Sequence, residues 1–395
     1  MHSGGSGHKG WCDRRDDYQD NKGQRKNNVS FSYTDIVEIP VNRKIDMDKD
    51  LVSVVIPTYN AEKHIRDCLD AAITQTYKNI EILIVDSCSD DNTPQICREY
   101  ADKDKRIRFI THKSDGPSAS RNTGIKEAEG KYIVFWDDDD FPEKDLLERF
   151  VSAYENCQDE QISFVLCGMY FDNRCNKYVN DVESILEDAN GYERNENYFL
   201  DRKDASVLAY LKLFNFVTNK CYELDRIREN QIQFDEQMLI GEDLKFNLDF
   251  LDKIPGKFGV INIPLYHYVK RSNESLSLTY HEGDLEDTKD IYKRFINWEK
   301  RQNNATEDDV LVIKSIYITD WVSRMTSMYE KFQNETENVW VRRKLKKELQ
   351  SKEFRQNIGE VYKSGKISTI RYLSLKTGSF RIFFFLRRFY QVLKG

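Results

Sequence analysis

Residues 128–141 read Ala128-Glu-Gly-Lys-Tyr-Ile-Val-Phe-Trp-Asp-Asp-Asp-Asp-Phe141. A glycine punctuates the start, Tyr132–Trp136 forms a short apolar run, and four aspartates follow at once. That pattern predicts a buried strand whose end carries a carboxylate cluster. Four like charges at a sheet end repel one another and add nothing to stability by themselves. A hard divalent cation with oxygen ligands relieves the repulsion, and Mg²⁺ or Mn²⁺ commonly bridges carboxylates to substrate phosphates. The competing reading is a solvated acidic turn leading into a helix, since Asp140 precedes Phe141-Pro142 and proline suits a first helical turn.

Upstream, strand and helix alternate with short connections. Leu51–Ile56 is a strand run stopped by Pro57. Ala61–Gln75 has helical spacing through Ile65, Leu69, Ala72 and Ile73. Ile80–Val85 is a second strand, Thr93–Ala101 a helix, Ile107–Ile110 a third strand and Ser118–Ala128 a helix closed by Gly130. This alternation predicts βαβ units: an α/β fold, Rossmann-like, with a mostly parallel sheet and helices on both faces. Ligands of such sheets bind beyond the carboxyl ends of the strands. Three segments fall there: Pro57–Asn60, Asp86–Asp91 and Asp137–Asp140.

Downstream the pattern loosens. A helix is expected over Leu146–Tyr154 and a strand over Ile162–Tyr170, then a polar loop or insertion over Asp172–Arg202. Shorter elements follow: helices over Ser206–Phe214, Glu223–Asn230 and Glu242–Leu251, with strands over Val217–Tyr222 and Phe258–Ile263. From Leu285 onward the apolar spacing is helical to the end. The expected organisation is a polar lead-in over 1–50, an α/β domain over 51–280 and a helical region over 281–395.

The strand-end segments carry the chemistry. Pro57-Thr-Tyr-Asn60 offers an aromatic ring on which a nucleobase can stack beside short polar groups; Asn60 would serve equally as a helix cap. Asp86-Ser-Cys-Ser-Asp-Asp91 reads as a further polar strand end or as a turn and cap. In Gly116-Pro-Ser-Ala-Ser-Arg-Asn-Thr-Gly124, Arg121 and Asn122 open a helix within reach of a phosphate or of the acidic cluster.

Taken in order, these segments resemble the family 2 glycosyltransferases of the GT-A fold, of the bacterial cell-surface polysaccharide type. Asn219-Lys-Cys-Tyr222, Gly241-Glu-Asp243, Tyr266-His-Tyr268, Arg271 and Ser275-Leu-Ser277 extend the resemblance to about Leu51–Ser277. Ser87 departs from it, standing where many members carry a second aspartate. The resemblance implies a nucleotide-sugar donor, a UDP-sugar, and inverting transfer to a hydroxyl of a glycan or lipid-linked acceptor. Pro57, Tyr59, Asn60 and Asp86 would line the nucleotide side, and Arg121, Asp137, Asp138, Arg271 and Ser275 the sugar-diphosphate side. Mn²⁺ or Mg²⁺ would sit at Asp139 and Asp137, with His267 as a further ligand or, alternatively, a structural histidine. Asp243 would be the catalytic base and Glu242 the runner-up, although two acids in a first helical turn also favour the helix dipole. A different class remains open: a catalytically idle GT-A scaffold in a membrane-associated polysaccharide assembly complex. A nucleotidyltransferase is disfavoured, because no glycine-rich phosphate loop follows the first strand.

Composition bounds the rest. The 395 residues include 22 Tyr and 22 Phe, enough apolar surface for a core. No apolar run approaches the about 18 residues a membrane helix needs. With no secretory leader visible and no C-x-x-C among 8 Cys, reduced thiols and a cytoplasmic setting are expected. Charge is uneven: Trp340–Gly395 holds 15 Lys or Arg against 3 Glu, and the remainder 45 against 64. The tail Ser379–Lys394 interleaves aromatics with arginine and contains no acid. It reads either as a peripheral contact with the inner face of the cell membrane or as a final helix on the core. No nucleic-acid partner is expected, since no recognised module accompanies the basic segment. Oligomeric state is open.

Overall fold

The computed structural model describes residues 50–113, 116–157, 161–173, 177–179, 197–238, 240–270, 281–332, 338–378 and 382–383. All of them fall in one compact unit spanning 37–395. Arg271, Ser275 and nearly all of the tail after Gly378 lie outside the described residues.

The strands are β1 Val52–Thr58, β2 Ile80–Asp86, β3 Ile107–Thr111, β4 Tyr132–Phe135, β5 Phe141–Pro142, β6 Ile162–Asn173, β7 Lys177–Val179, β8 Asn197–Leu200, β9 Lys220–Glu223 and β10 Lys257–Lys270. They form one mixed sheet in the order β3-β2-β1-β4-β9-β6-β10-β5, with β7 beside β6 and β8 beside β10. The first four are parallel to one another. Every residue of β1 and β2 is buried, as continuous apolar strands covered on both faces require. The helices are α1 Ile65–Ile73, α2 Thr93–Lys103, α3 Pro117–Glu127, α4 Leu146–Asn156, α5 Ala205–Tyr210, α6 Leu224–Glu229, α7 Glu242–Lys253, α8 Asp284–Glu299, α9 Glu307–Phe332, α10 Asn338–Gln350, α11 Lys352–Lys363 and α12 Thr369–Lys376.

Four expectations need correction. β1 runs through Pro57, because β4 stops pairing with it at Val55; on that side the missing proline N–H costs no ladder bond. Phe141-Pro142 does not start a helix but pairs as β5 with Tyr266 and His267. The stretch Asp172–Arg202 contains the end of β6 together with β7 and β8. The last strand does not stop at Ile263: β10 absorbs Pro264 at a register shift and continues to Lys270, carrying Tyr266 and His267 to the acidic strand end.

Helix α3 lies close on β1. A β-carbon at Gly124 would sit 2.2 Å from a Val55 methyl, so only glycine permits that approach. It places Arg121, one turn earlier, over the sheet's carboxyl edge.

The C-terminal helices share the same core. Phe295 stacks on Phe214 at 4.9 Å, and Ser206 Oγ donates to Asp309 at 3.0 Å. Glu299 ends α8 fully buried, and neither carboxyl oxygen has a hydrogen-bond partner. Burial, with Asp309 and Asp204 outweighing Lys203, pushes its pKa from 4.5 up to about 9. The folded chain keeps this proton where the unfolded chain has lost it. Stability is therefore full at acid pH and declines as pH rises from 4.5 toward about 9. Glu299→Gln is expected to raise the unfolding free energy from urea melts at slightly alkaline pH, by the order of 1–3 kcal/mol, and with it the midpoint, and to flatten that decline. A lower midpoint there would mean that the ionised carboxylate is held by a partner.

Candidate functional site

Arg121 is the hub. Its side chain is 4% exposed, and its guanidinium touches three acids: Asp137 at 2.8 Å, Asp243 at 3.2 Å and Glu242 at 3.5 Å. Phe234 lies beneath it, 5.3 Å from ring centre to guanidinium carbon, and Phe234 in turn stacks on Phe246 at 4.1 Å. Burial alone would loosen the arginine proton, but Asp243, Asp137 and Glu242 more than offset that. The planar fork suits two carboxylates approaching from different elements. Arg121 was expected to reach either a phosphate or the acidic cluster. Its two terminal nitrogens meet the cluster, while its Nε is buried without a partner; in this arrangement Arg121 joins the end of β4 to the start of α7.

The two acids of α7 enter the site because Gly241 holds the preceding backbone at φ 86°, a conformation that side chains resist. Asp243 Oδ2 accepts the Val217 N–H at 3.1 Å. Burial raises the Asp243 pKa; Arg121 opposes this and Asp137 adds to it. Glu242 is pushed up to about 7 by burial and by Asp243, against Arg121. Both acids therefore hold a proton more strongly than free carboxylates do, the tuning a general base at neutral pH requires.

The four aspartates differ in their surroundings. The Asp137 N–H donates to Tyr266 Oη at 3.0 Å. Asp138 accepts the Tyr59 N–H at 3.2 Å and lies 3.9 Å from His64 Nε2. Asp140 is 1% exposed. Its Oδ1 accepts the Val269 N–H at 2.7 Å, while its Oδ2 is buried without a partner. Burial first, then the charges of Asp137 and Asp139, raise its pKa well above the carboxylate range. Arg121 is the cation that meets Asp137 among the described residues.

Among the described residues no three His, Cys, Asp or Glu side chains converge as a metal cage. Of the expected set of Asp137, Asp139 and His267, the histidine is the member held by protein neighbours. His267 Nε2 is engaged by Glu143 at 2.9 Å, and its ring is sandwiched between Phe141 and Tyr170 at 4.5 and 4.4 Å. What remains is an oxygen-only donor set of one or two carboxylates. That set fits Mg²⁺ or Mn²⁺, which such carboxylates hold together with substrate phosphates and water.

The mouth of the sheet is laced by short polar side chains. Tyr59 is 61% exposed, a free aromatic face beside Asp138. Asn60 has φ 50°; its N–H donates to Ser89 Oγ at 2.9 Å and its Oδ1 accepts the Asp90 N–H at 3.0 Å. It ties two loops together rather than capping α1. Asp86 is buried, and both its oxygens are engaged by Ser89, at 2.5 and 3.2 Å. Pro57 is buried in β1 opposite Val85. Asp86 and Pro57 thus build the wall, Asn60 lies at its exposed rim, and Tyr59 faces outward.

A buried network supports the opposite wall. Asn122 pins the Phe234 backbone through both its amide groups, at 2.8 and 2.9 Å. Lys220 Nζ donates to the carbonyls of Leu213 and Phe216 and to Asn219 Oδ1, three acceptors for three ammonium protons. Burial nevertheless pushes its pKa down to about 7, against Asp243 and Cys167. Asn247 donates to the carbonyls of Phe214 and Phe216 at 2.8 and 3.1 Å. These residues hold the loop whose Val217 N–H orients Asp243. A lysine inside the expected strand Val217–Tyr222 was the visible sign of this network. Phe234 had no such sign, and Tyr266 was visible only through the Tyr-His-Tyr segment.

Residues 53–217 match the family model described as glycosyl transferase family 2. Over 121 residues the chain is 46% identical to glycosyltransferase GlyA of Streptococcus pneumoniae, covering 31% of this chain and 17% of that protein. Over 233 residues it is 30% identical to the uncharacterized glycosyltransferase EpsJ of Bacillus subtilis, covering 58% of this chain and 64% of that one. The chain thus spans less than two thirds of either relative. The crystal structure of Staphylococcus aureus TarS 1-349 in complex with UDP-GlcNAc superposes with a TM-score of 0.55 at 21% identity, over 83% of this chain and 86% of that one; the likeness is one of fold, the GT-A arrangement. The match to the glycosyl transferase family 2 model spans residues 53–217, and the strand-end acids and Arg121 lie within it.

Proposed function

We propose that the protein transfers a sugar, with inversion, from a UDP-sugar to a hydroxyl of a glycan or lipid-linked acceptor in cell-surface polysaccharide synthesis, working in the cytoplasm. The observation that carries this reading is the Arg121 clamp. It sets the Asp137 carboxylate, on the donor side, against the Glu242–Asp243 pair, on the acceptor side. Tyr59 offers its ring to the base, and the wall at Asp86, with Asn60 at its rim, bounds that pocket. TarS, similar in fold, was crystallised with UDP-GlcNAc, which supports a UDP-sugar donor.

The reaction follows from the placement. Asp243 takes the proton of the acceptor hydroxyl as that oxygen attacks the anomeric carbon. The carbon–oxygen bond to the diphosphate breaks on the opposite face, and the electron pair leaves with UDP. Arg121 keeps Asp243 ionised and aimed; Lys220 and Asn247 keep its backbone donor in place. Mn²⁺ or Mg²⁺, when bound, supplies Lewis-acid neutralisation of the departing diphosphate. Asp139 and Asp137 are the residues that would hold it.

The test is release of nucleoside diphosphate from a panel of UDP-, GDP- and dTDP-sugars with the purified chain. One UDP-sugar is expected to turn over with Mn²⁺ or Mg²⁺ and to stop with EDTA. Turnover that is unchanged by EDTA would remove the metal from the proposal. Failure to bind any nucleotide sugar in calorimetry would leave the idle scaffold as the better reading.

A further inference from the structure

Helix α10 buries Val341, Leu345 and Leu349, spaced four residues apart, against the core. Its other face is exposed and carries Val339, Trp340, Arg342, Arg343, Lys346 and Lys347. Val339 is 66% and Trp340 42% exposed, although neither residue type gains by facing water. Lys344, on the flank, is spent in an ion pair with Glu286 at 2.9 Å. Among the described residues no ion pair is made by Arg342, Arg343, Lys346 or Lys347, and no acid lies fully exposed on the helix. A solvated surface helix normally interleaves both signs of charge. Nearby, α12 repeats the device: Ile370 and Leu373, one turn apart, are 47% and 49% exposed and are followed by the exposed Lys376.

We infer that the exposed face of α10 docks on an anionic lipid bilayer, with Val339 and Trp340 entering the headgroup boundary and the four cations meeting lipid phosphates. Charge complementarity selects the partner. The chain outside the basic C-terminal segment is strongly acidic, so an anionic surface repels it and attracts only this end. A soluble polyanion would satisfy the cations but leave Val339 and Trp340 in water. An interfacial bilayer accommodates both, and tryptophan in particular favours that depth. The inference is independent of the donor and of the tail after Gly378. It concerns where the protein sits and does not depend on what it transfers.

Co-sedimentation of the full chain with vesicles of phosphatidylglycerol and phosphatidylcholine tests it, with pure phosphatidylcholine vesicles alongside. Binding is expected only to the anionic vesicles and should weaken as salt rises. Combined Arg342→Glu, Arg343→Glu, Lys346→Glu and Lys347→Glu is expected to lower that affinity by about 100-fold or more. Val339→Ser with Trp340→Ser is expected to lower it about 10-fold while the salt dependence persists. Thermal melts confirm that both variants are folded. Three results would overturn the inference. Full binding by the charge-reversed protein, lost on truncation before Ser379, would place docking in the tail. Equal loss of binding to dextran sulfate, with no effect of the apolar pair, would make the partner a polyanion. A self-association in centrifugation that both variants dissolve would make it a second copy of the chain.

Discussion

Arg121→Ala is expected to destabilise the protein by about 3–5 kcal/mol at neutral pH, among the largest single-residue effects in the chain. Removing the guanidinium leaves Asp137, Glu242 and Asp243 close together in a buried site with their cation gone. It also opens a void above Phe234. Arg121→Lys should recover little, because one ammonium cannot hold two carboxylates from different elements in the fork geometry. The loss has a pH signature. Without the arginine, Glu242 and Asp243 are raised further by burial and neighbouring charge, so the folded variant retains protons that its unfolded chain releases. Stability of the variant should then fall as pH rises from the carboxylate range toward neutrality, and its deficit should shrink in acid. Urea melts of both proteins across that range are the measurement. Equal midpoints at acid and neutral pH would mean that the clamp contributes no net stability. Combining Arg121→Ala with Asp243→Asn should cost less than the sum of the two, since each removes the same contact.

The site's frame was legible because its parts are local. Tyr132–Asp140 shows a strand and its charged end within nine consecutive residues, and the alternation upstream leaves few topologies open. The acidic cluster was one of the two partners the sequence offered Arg121, but its contact with α7 was not legible. Asp243 lies 122 residues away, and an arginine fork serves a phosphate as well as a carboxylate. Periodicity cannot say which of these the fold brings near. Pro264 misled for a local reason: a proline in an apolar run reads as an end, whereas β10 takes it at a register shift and continues. Asp86 and Asn60 were noticed for their chemistry, but the structure gives their oxygens to Ser89 and Asp90. Short polar side chains at strand ends satisfy neighbouring backbone as readily as a ligand does. His267 was ambiguous for a similar reason, since a ring held between two aromatics carries no distinct mark in sequence.

Asp243→Asn is expected to lower kcat by about 100- to 10,000-fold with a small change in donor affinity, the range a positioned general base commands. The amide has the size of the carboxyl, and its oxygen can still accept the Val217 N–H. What it loses is basicity and the pairing with Arg121. Glu242→Gln separates the two acids. Glu242 makes the longer contact with Arg121, at 3.5 Å against 3.2 Å, and its backbone donor is its own N–H, so it lacks the tie to another element that Val217 gives Asp243. Its removal should keep most of the turnover but change the pH profile. Burial and neighbouring charge hold the Asp243 pKa up, so kcat/KM of the unaltered protein should climb with pH along an acid limb lying above the ordinary aspartate range. Glu242 holds its own proton up to about 7, so its removal should take that second, higher ionisation out of the profile and leave the Asp243 limb in place. If Glu242→Gln is inactive while Asp243→Asn turns over, the roles are exchanged and Asp243 is the residue that orders the base. If both variants keep full activity, the proton leaves by another route, and the Arg121 clamp is structural.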